Sequence, residues 1–271
     1  MPTTSVQLYS LRDAIADDLD AAIARVREIG YENVEPYAFV ERATDLERAF
    51  TATGLKAPSG HVAVIDADDT APIWDAAERL GIHTVIDPFI PTDRWQTADD
   101  VKAIAERVNV LTAEATARGL QFGYHNHQWE FTNKVDGRTV YDLFVEQLSP
   151  ETVLEVDTFW ATVGGADAPA VLRGLGDRVV AIHVKDGKVD GDIRTALPSS
   201  ESALIVPEAL QRAFENQTPA GQGDVDVAGI LAAAPQAIRV VEFDAYKGDV
   251  FEGITESLTW LQANDTAGTA A

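Results

Sequence analysis

Four times in the first half of the chain a helix-like stretch with apolar residues at helical spacing runs into a glycine and is followed at once by a short apolar stretch. The glycines are Gly30, Gly54, Gly81 and Gly119. A glycine can take the left-handed backbone conformation that closes a helix, and the short stretch after it reads as a strand. Strands are expected at Ser5–Leu8, Asn33–Glu35, Leu55–His61, Ile82–Asp87, Leu120–His127, Val153–Asp157, Val179–Val184 and Ile238–Phe243. Helices are expected at Asp17–Ile29, Asp45–Thr53, Pro72–Leu80, Ala98–Arg118, Thr139–Leu148, Pro169–Leu175 and Phe251–Ala263. Alternation of this kind implies parallel strands with crossover helices. With no linker interrupting it, one closed α/β barrel, a (β/α)8 TIM barrel over residues 1–263, is favoured over two doubly wound domains. Residues 264–271 read as a frayed C-terminal tail.

The rhythm breaks once. Between Asp186 and Asp226 about forty residues separate the seventh strand from the next helix, far more than an ordinary connection. This is a long loop insertion after strand 7, with an amphipathic helix expected at Ala203–Phe214. Loops on that side of a barrel sit at its catalytic mouth, so the insertion is expected to act as a substrate lid or an oligomer contact.

The ends of the expected strands hold an unusual set of residues. Strand two ends in Glu35, strand three in His61, and strand five in His125-Asn126-His127 with Glu130 just beyond. Strand six ends Glu155-Val156-Asp157, strand seven His183-Val184-Lys185-Asp186, and strand eight Glu242-Phe243-Asp244. Four of the five histidines occur at these ends. Period-two alternation puts His125 and His127 on one face, Asp157 with Glu155 and Val153, His183 with Ala181 and Lys185, and Glu242 with Val240 and Asp244. Unpaired charge inside a fold is costly, so packing alone does not account for this placement. Asp, His and Glu on adjacent strands form a ligand set for one divalent ion, Mn, Co, Mg or Zn. Each residue also has a structural alternative: Asp157 as a helix cap, His183 as a hydrogen-bonded core residue, Glu242 as a partner of Lys185, and His125-Asn126-His127 as a polar network.

Composition narrows the partners. There are 44 Asp and Glu against 21 Lys and Arg, a formal charge of −23, which repels phosphate backbones and argues against nucleic acid. No apolar run is long enough to span a membrane, and the N-terminal residues lack the pattern of a secretory signal. Cysteine is absent, so a metal would have to be held by His, Asp and Glu. A cytoplasmic enzyme is the expectation.

These motifs resemble the xylose isomerase-like TIM-barrel superfamily: sugar-phosphate isomerases and epimerases, inosose isomerases and dehydratases, and endonuclease IV. The resemblance is carried by Val6-Gln7-Leu8-Tyr9-Ser10 with Arg12, Gly30-Tyr31-Glu32-Asn33-Val34-Glu35, Tyr124-His125-Asn126-His127 with Glu130-Phe131, and Glu155-Val156-Asp157-Thr158-Phe159-Trp160. It continues through Gly164-Gly165, Arg178-Val179, His183-Val184-Lys185-Asp186, Gly221-Gln222-Gly223-Asp224-Val225-Asp226 and Val241-Glu242-Phe243-Asp244. It implies one divalent metal held by Asp157, His183 and Glu242, with the first two 26 residues apart as in the family. Many relatives carry a Glu where His125 stands; here Glu130 is the expected fourth ligand and His125 its rival. Trp160 stands where ketose epimerases carry a substrate-touching histidine, so Trp160, His61 and Lys185 are the expected substrate contacts.

The chemistry implied is proton abstraction beside a carbonyl through an enediolate. His125 or His127 is the expected base, Glu242 and Glu130 are expected as ligands that double in proton transfer, and Lys185 is expected to steady an oxyanion. Return of the proton makes a metal-dependent sugar isomerase or epimerase. Loss of a β-oxygen makes a lyase acting on inosose or a 3-keto-glycoside. The expected partner is a small sugar or keto-sugar, with self-association into a homo-oligomer left open. A phosphate on the substrate is not required, because no glycine-rich anion cradle is evident.

Overall fold

The computed structural model describes residues 3–189 and 208–265. Eight parallel strands lie in the order β2-β1-β8-β7-β6-β5-β4-β3. They are β1 (Thr4–Gln7), β2 (Asn33–Glu35), β3 (Ser59–His61), β4 (Thr84–Asp87), β5 (Gln121–His125), β6 (Val153–Asp157), β7 (Val179–Val184) and β8 (Ile238–Val241). The seam between β2 and β3 is closed by bridges at Asn33–Lys56 and Tyr37–His61, so the sheet forms a barrel. Eight helices wrap it: α1 (Leu19–Ile29), α2 (Ala43–Thr53), α3 (Ala71–Leu80), α4 (Ala98–Ala117), α5 (Val140–Gln147), α6 (Ala168–Leu175), α7 (Val227–Ala233) and α8 (Val250–Asn264). The single (β/α)8 barrel read from the sequence is the fold found.

Local chemistry explains the helix ends. Gly30, Gly54 and Gly81 take left-handed conformations as α1, α2 and α3 close. Aspartates start several of the helices, Asp18 accepting from Ala21 N–H and Asp167 from Ala170 N–H. Thr97 and Asp100 form a reciprocal capping box on α4, which satisfies otherwise orphaned N–H groups. The outer faces of the strands and the inner faces of the helices share one apolar core, with Trp74, Phe122, Phe144 and Ile182 among its buried members. No helix among the described residues is long and apolar enough to cross a membrane.

Four expectations need correction. Leu55–His61 yields a strand only at Ser59–His61, and Leu120–His127 yields one only at Gln121–His125, so His127 stands in the loop beyond its strand. Of the helix expected at Ala203–Phe214, residues 203–207 lie outside the described residues, and a helix runs from Glu208 to Glu215. The tail does not begin at residue 264. Asn264 ends α8, and Asp265 is buried against the guanidinium of Arg239 at 2.9 Å; residues 266–271 of the expected tail lie outside the described residues.

Candidate active site

The inward-facing residues at the C-terminal ends of the strands form a polar layer that closes the top of the core. Register sets their neighbours. On β5 and β6, His125 lies level with Glu155; on β6 and β7, Asp157 lies level with His183. The second pairing depends on an irregularity: Leu154 pairs with Val179, but Glu155 already pairs with Ala181. Without that one-residue shift Asp157 would sit beside Ile182. Bulges of this kind re-aim side chains near active sites. Gly123, one inward step below His125, leaves no room for a side chain, since a Cβ there would stand 2.5 Å from the Val153 carbonyl.

The deeper part of the layer centres on two glutamates. Oε1 of Glu155 lies 2.6 Å from His61 Nε2, 2.9 Å from His125 Nδ1 and 2.9 Å from His183 Nε2. Glu35 accepts from Gln7 at 2.9 Å and from Ser59, and its Oε2 lies 3.0 Å from His183 Nε2. The other nitrogen of His183, Nδ1, is 2.6 Å from Glu242 Oε2. Nearer the mouth, the Lys185 ammonium touches Asp157 Oδ2 at 2.7 Å, Glu242 Oε2 at 2.5 Å and Asp244 Oδ2 at 2.9 Å.

Two overlapping sets of donor atoms could each hold a metal ion, with all atoms of a set within 4.8 Å of one another. One is His61, His125, Glu155 and His183; the other is Asp157, His183 and Glu242. Asp157 both caps a helix and faces the site. Its Oδ1 accepts from Trp160 N–H at 2.8 Å, starting the short helix Thr158–Val163, while its Oδ2 is buried against the Lys185 ammonium. Asn126 locks the strand ends together by bonding both backbone polar groups of Asp157 at 3.1 Å.

Burial sets the protonation of the layer. It pushes the Asp157 carboxyl up to about 6 against the pull of Lys185. Burial would also raise Glu155 and Glu242, but the positive charges of His183, and of His61 or Lys185, outweigh it and hold both well below the usual range. His183 and Lys185 lose solvation, yet the carboxylates around them raise both well above normal. His125 goes the other way, lowered to about 3 by burial and by the charge on His183. His127 is likewise lowered, by burial first and then by His125.

The predicted site residues divide by placement. His61, His125, His127 and Glu242 line a cavity of about 560 Å³ at the mouth. Asp157, His183 and Lys185 lie against its floor through the contacts above. Glu130, the expected strand-five ligand, is not among either donor set. One of its oxygens accepts from Tyr124 Oη at 2.5 Å and the other from His127 N–H at 2.9 Å, and burial raises it to about 8. Its carboxylate is committed to holding the loop after β5. Trp160, expected at the substrate, is fully buried and absent from the cavity lining, its indole N–H donating to Asp244 at 3.1 Å. Glu155, Glu35, Gln7 and Ser59 were not picked out as site residues. For Glu155 the signal was present in the sequence, two positions before Asp157 and so on its face.

The sequence from residue 23 to residue 263 matches a family model described as xylose isomerase-like TIM barrel. No curated protein matches it. Among solved structures it is similar to a sugar phosphate isomerase/epimerase from Parabacteroides distasonis, at 20% identity and a TM-score of 0.76, over 97% of this chain and 96% of that one. It is also similar to an IOLI protein with a bound zinc atom, at 15% identity and a TM-score of 0.70, over 99% of this chain and 100% of that one. A third is a 3-keto-D-glucoside 4-epimerase from E. coli in its apo form, at 14% identity and a TM-score of 0.66, over 97% of this chain and 100% of that one.

Proposed function

The chain belongs to the xylose isomerase-like TIM barrel family, and from that premise we propose that it is a metal-dependent sugar isomerase or epimerase. The reaction is proton transfer beside a carbonyl, through an enediolate of the substrate. One observation carries the reading: among the described residues five carboxylates, Glu35, Glu155, Asp157, Glu242 and Asp244, converge with only Lys185 and the imidazoles of His61 and His183 to balance them. Buried carboxylates in excess, with Glu155 Oε2 left without a hydrogen-bond partner, suit a divalent cation.

Asp157, His183 and Glu242 would hold that ion. His125 is the better fourth ligand than Glu130. Glu155 is ionised and acts as acceptor, so the neutral His125 ring donates from Nδ1 and leaves the Nε2 lone pair toward Asp157 Oδ2, 3.7 Å away. Two atoms on a tetrahedral ion with ~2.1 Å bonds stand about 3.4 Å apart, so this spacing fits a shared cation. Glu155 is then the carboxylate that fixes the tautomer of a ligating histidine. When bound, the metal supplies Lewis-acid polarisation of the substrate carbonyl and its neighbouring hydroxyl.

The chain's own groups move and hold protons. His127 lines the cavity and is neutral, and its ring is the base that takes the proton from carbon. Lys185, kept charged and held by Asp244, donates toward the developing oxyanion. Returning the proton to carbon gives the isomer or epimer, while expulsion of a β-oxygen gives a lyase product from the same enediolate.

The test is to load the purified protein with Mn²⁺, Co²⁺, Mg²⁺ or Zn²⁺ and incubate it with ketoses and 3-keto-sugars in D₂O. Deuterium in the recovered isomer is expected, and it should be lost in His127→Ala. An unsaturated product would replace isomerase with lyase. No deuterium uptake and no turnover by any metal form would rule out the chemistry proposed.

A further inference from the structure

Among the described residues three large apolar side chains are conspicuously exposed: Tyr9, Phe89 and Val110. Two of the three, Tyr9 and Phe89, line the mouth of the candidate site. They belong to two groups of rings that rise from opposite arcs of the barrel. After β1 and β2, Tyr9 and Tyr37 meet edge to face at 5.4 Å. After β4 and β5, His127 stacks on Trp129 at 4.4 Å with planes only 4° apart, and Phe89 stands edge-on to both at 5.6 and 5.4 Å. Phe214 of the helix Glu208–Glu215 completes the lining.

The cavity they enclose, about 560 Å³, falls in the range that takes a drug-sized ligand and exceeds what one pyranose ring fills. Its floor is polar, where His61, His125 and Glu242 lie, Glu41 stands at the rim, and its upper walls are aromatic. A free sugar would leave the upper rings uncovered.

We propose that the substrate is a 3-keto-glycoside whose aglycone is a planar aromatic group, seated between the Tyr9–Tyr37 pair and the Phe89–His127–Trp129 stack. This rests on the sugar-processing reading of the floor. Edge and face contacts of this geometry favour a ring over an alkyl group of similar polarity, and the sugar is held below by the polar end. His127 joins both parts of the site, since Trp129 covers one face of its ring while the ring also lines the cavity.

The test is binding rather than turnover, so it is separable from the isotope experiment. The metal-loaded full chain is titrated with phenyl and methyl β-D-glycosides of glucose, galactose and xylose, read by calorimetry. In at least one sugar series the phenyl glycoside is expected to bind about tenfold tighter than the methyl glycoside. Phe89→Ala should abolish that preference, and Phe89→Trp should retain it. Phe89 is half exposed, 52%, so neither change endangers the fold. Equal affinity of phenyl and methyl members in every series, no binding by any member, or a preference that survives Phe89→Ala would each overturn the proposal. A phenyl preference found without deuterium exchange would keep the aromatic subsite and reject the isomerase chemistry; exchange without the preference would do the reverse.

Discussion

At the scale of single residues, Glu130 shows how one burial event can be read as a pH dependence. Its carboxyl is raised from 4.5 to about 8 by burial, only partly offset by Tyr124. Between those values the folded protein holds a proton there that the unfolded chain has released, so stability contributed by this group is greatest below about 4.5 and falls as pH rises toward 8. Glu130→Gln is nearly isosteric with the neutral acid and keeps both contacts, its oxygen accepting from His127 N–H and its amide donating to Tyr124. Urea unfolding at pH 5.5 and 7.5 should show the wild type losing roughly 1 kcal/mol per pH unit relative to the variant. Parallel pH profiles would mean that Glu130 is ionised in the folded state. Sequence pattern put Asp157, His183 and Glu242 at strand ends, where a barrel places chemistry, and the family resemblance implied them as ligands. It could not separate Glu130 from a ligand, because its commitment to Tyr124 depends on how the loop after β5 turns. Gln7 and Ser59 were invisible for a related reason: each matters only through Glu35, on a different strand.

At the scale of elements, the strands and helices with a period and a stop signal were legible, and those formed by tertiary pairing were not. Gly30, Gly54 and Gly81 marked helix ends within a residue, and Asn33–Glu35, Val153–Asp157 and Val179–Val184 were found to the residue. The short helices Arg12–Asp17, Trp129–Thr132 and Thr158–Val163 were missed, being too brief to show a period. The two-residue ribbon pairing Asp186–Gly187 with Gln217–Thr218 was missed for another reason. It joins segments some thirty residues apart and is held by Asp186, whose oxygens accept from the N–H groups of Gly187, Gly223 and Val225. The end of α8 was misread because small polar residues suggest fraying, whereas Asp265 is required by Arg239. That guanidinium is fully buried on β8, donating to the carbonyls of Leu231, Ala234 and Ala237 and to Asp265. Asp265→Ala leaves the charge without its counterion, and the expected cost is about 3 kcal/mol, read as a lower urea midpoint with an unchanged slope. A change under 0.5 kcal/mol would return residue 265 to the tail.

At the scale of the whole molecule, two kinds of negative charge act on stability, and they respond to different cations. The chain carries a formal −23, and its exposed acids repel one another through solvent. Salt screens that repulsion, the Debye length falling from about 10 Å at 0.1 M to about 3 Å at 1 M. Sodium chloride should therefore raise the unfolding temperature, and it should do so equally in wild type and in Asp157→Asn. The carboxylates of the barrel mouth are buried and poorly screened, so their surplus charge is relieved only by an ion that enters the site. A divalent metal at a hundred times its Kd adds about 2.7 kcal/mol to a one-site protein, roughly 5–10 °C for a chain of this size. Asp157→Asn keeps the oxygen that caps Trp160 N–H and replaces the one that faces His125 and Lys185. It should fold, respond to sodium chloride as the wild type does, and lose the additional rise with Mn²⁺ or Zn²⁺. An equal divalent shift in both proteins would assign that shift to surface screening and leave Asp157 as a helix cap alone. A shift confined to the wild type would mean that one buried oxygen on β6 decides whether the mouth of the barrel takes up a metal.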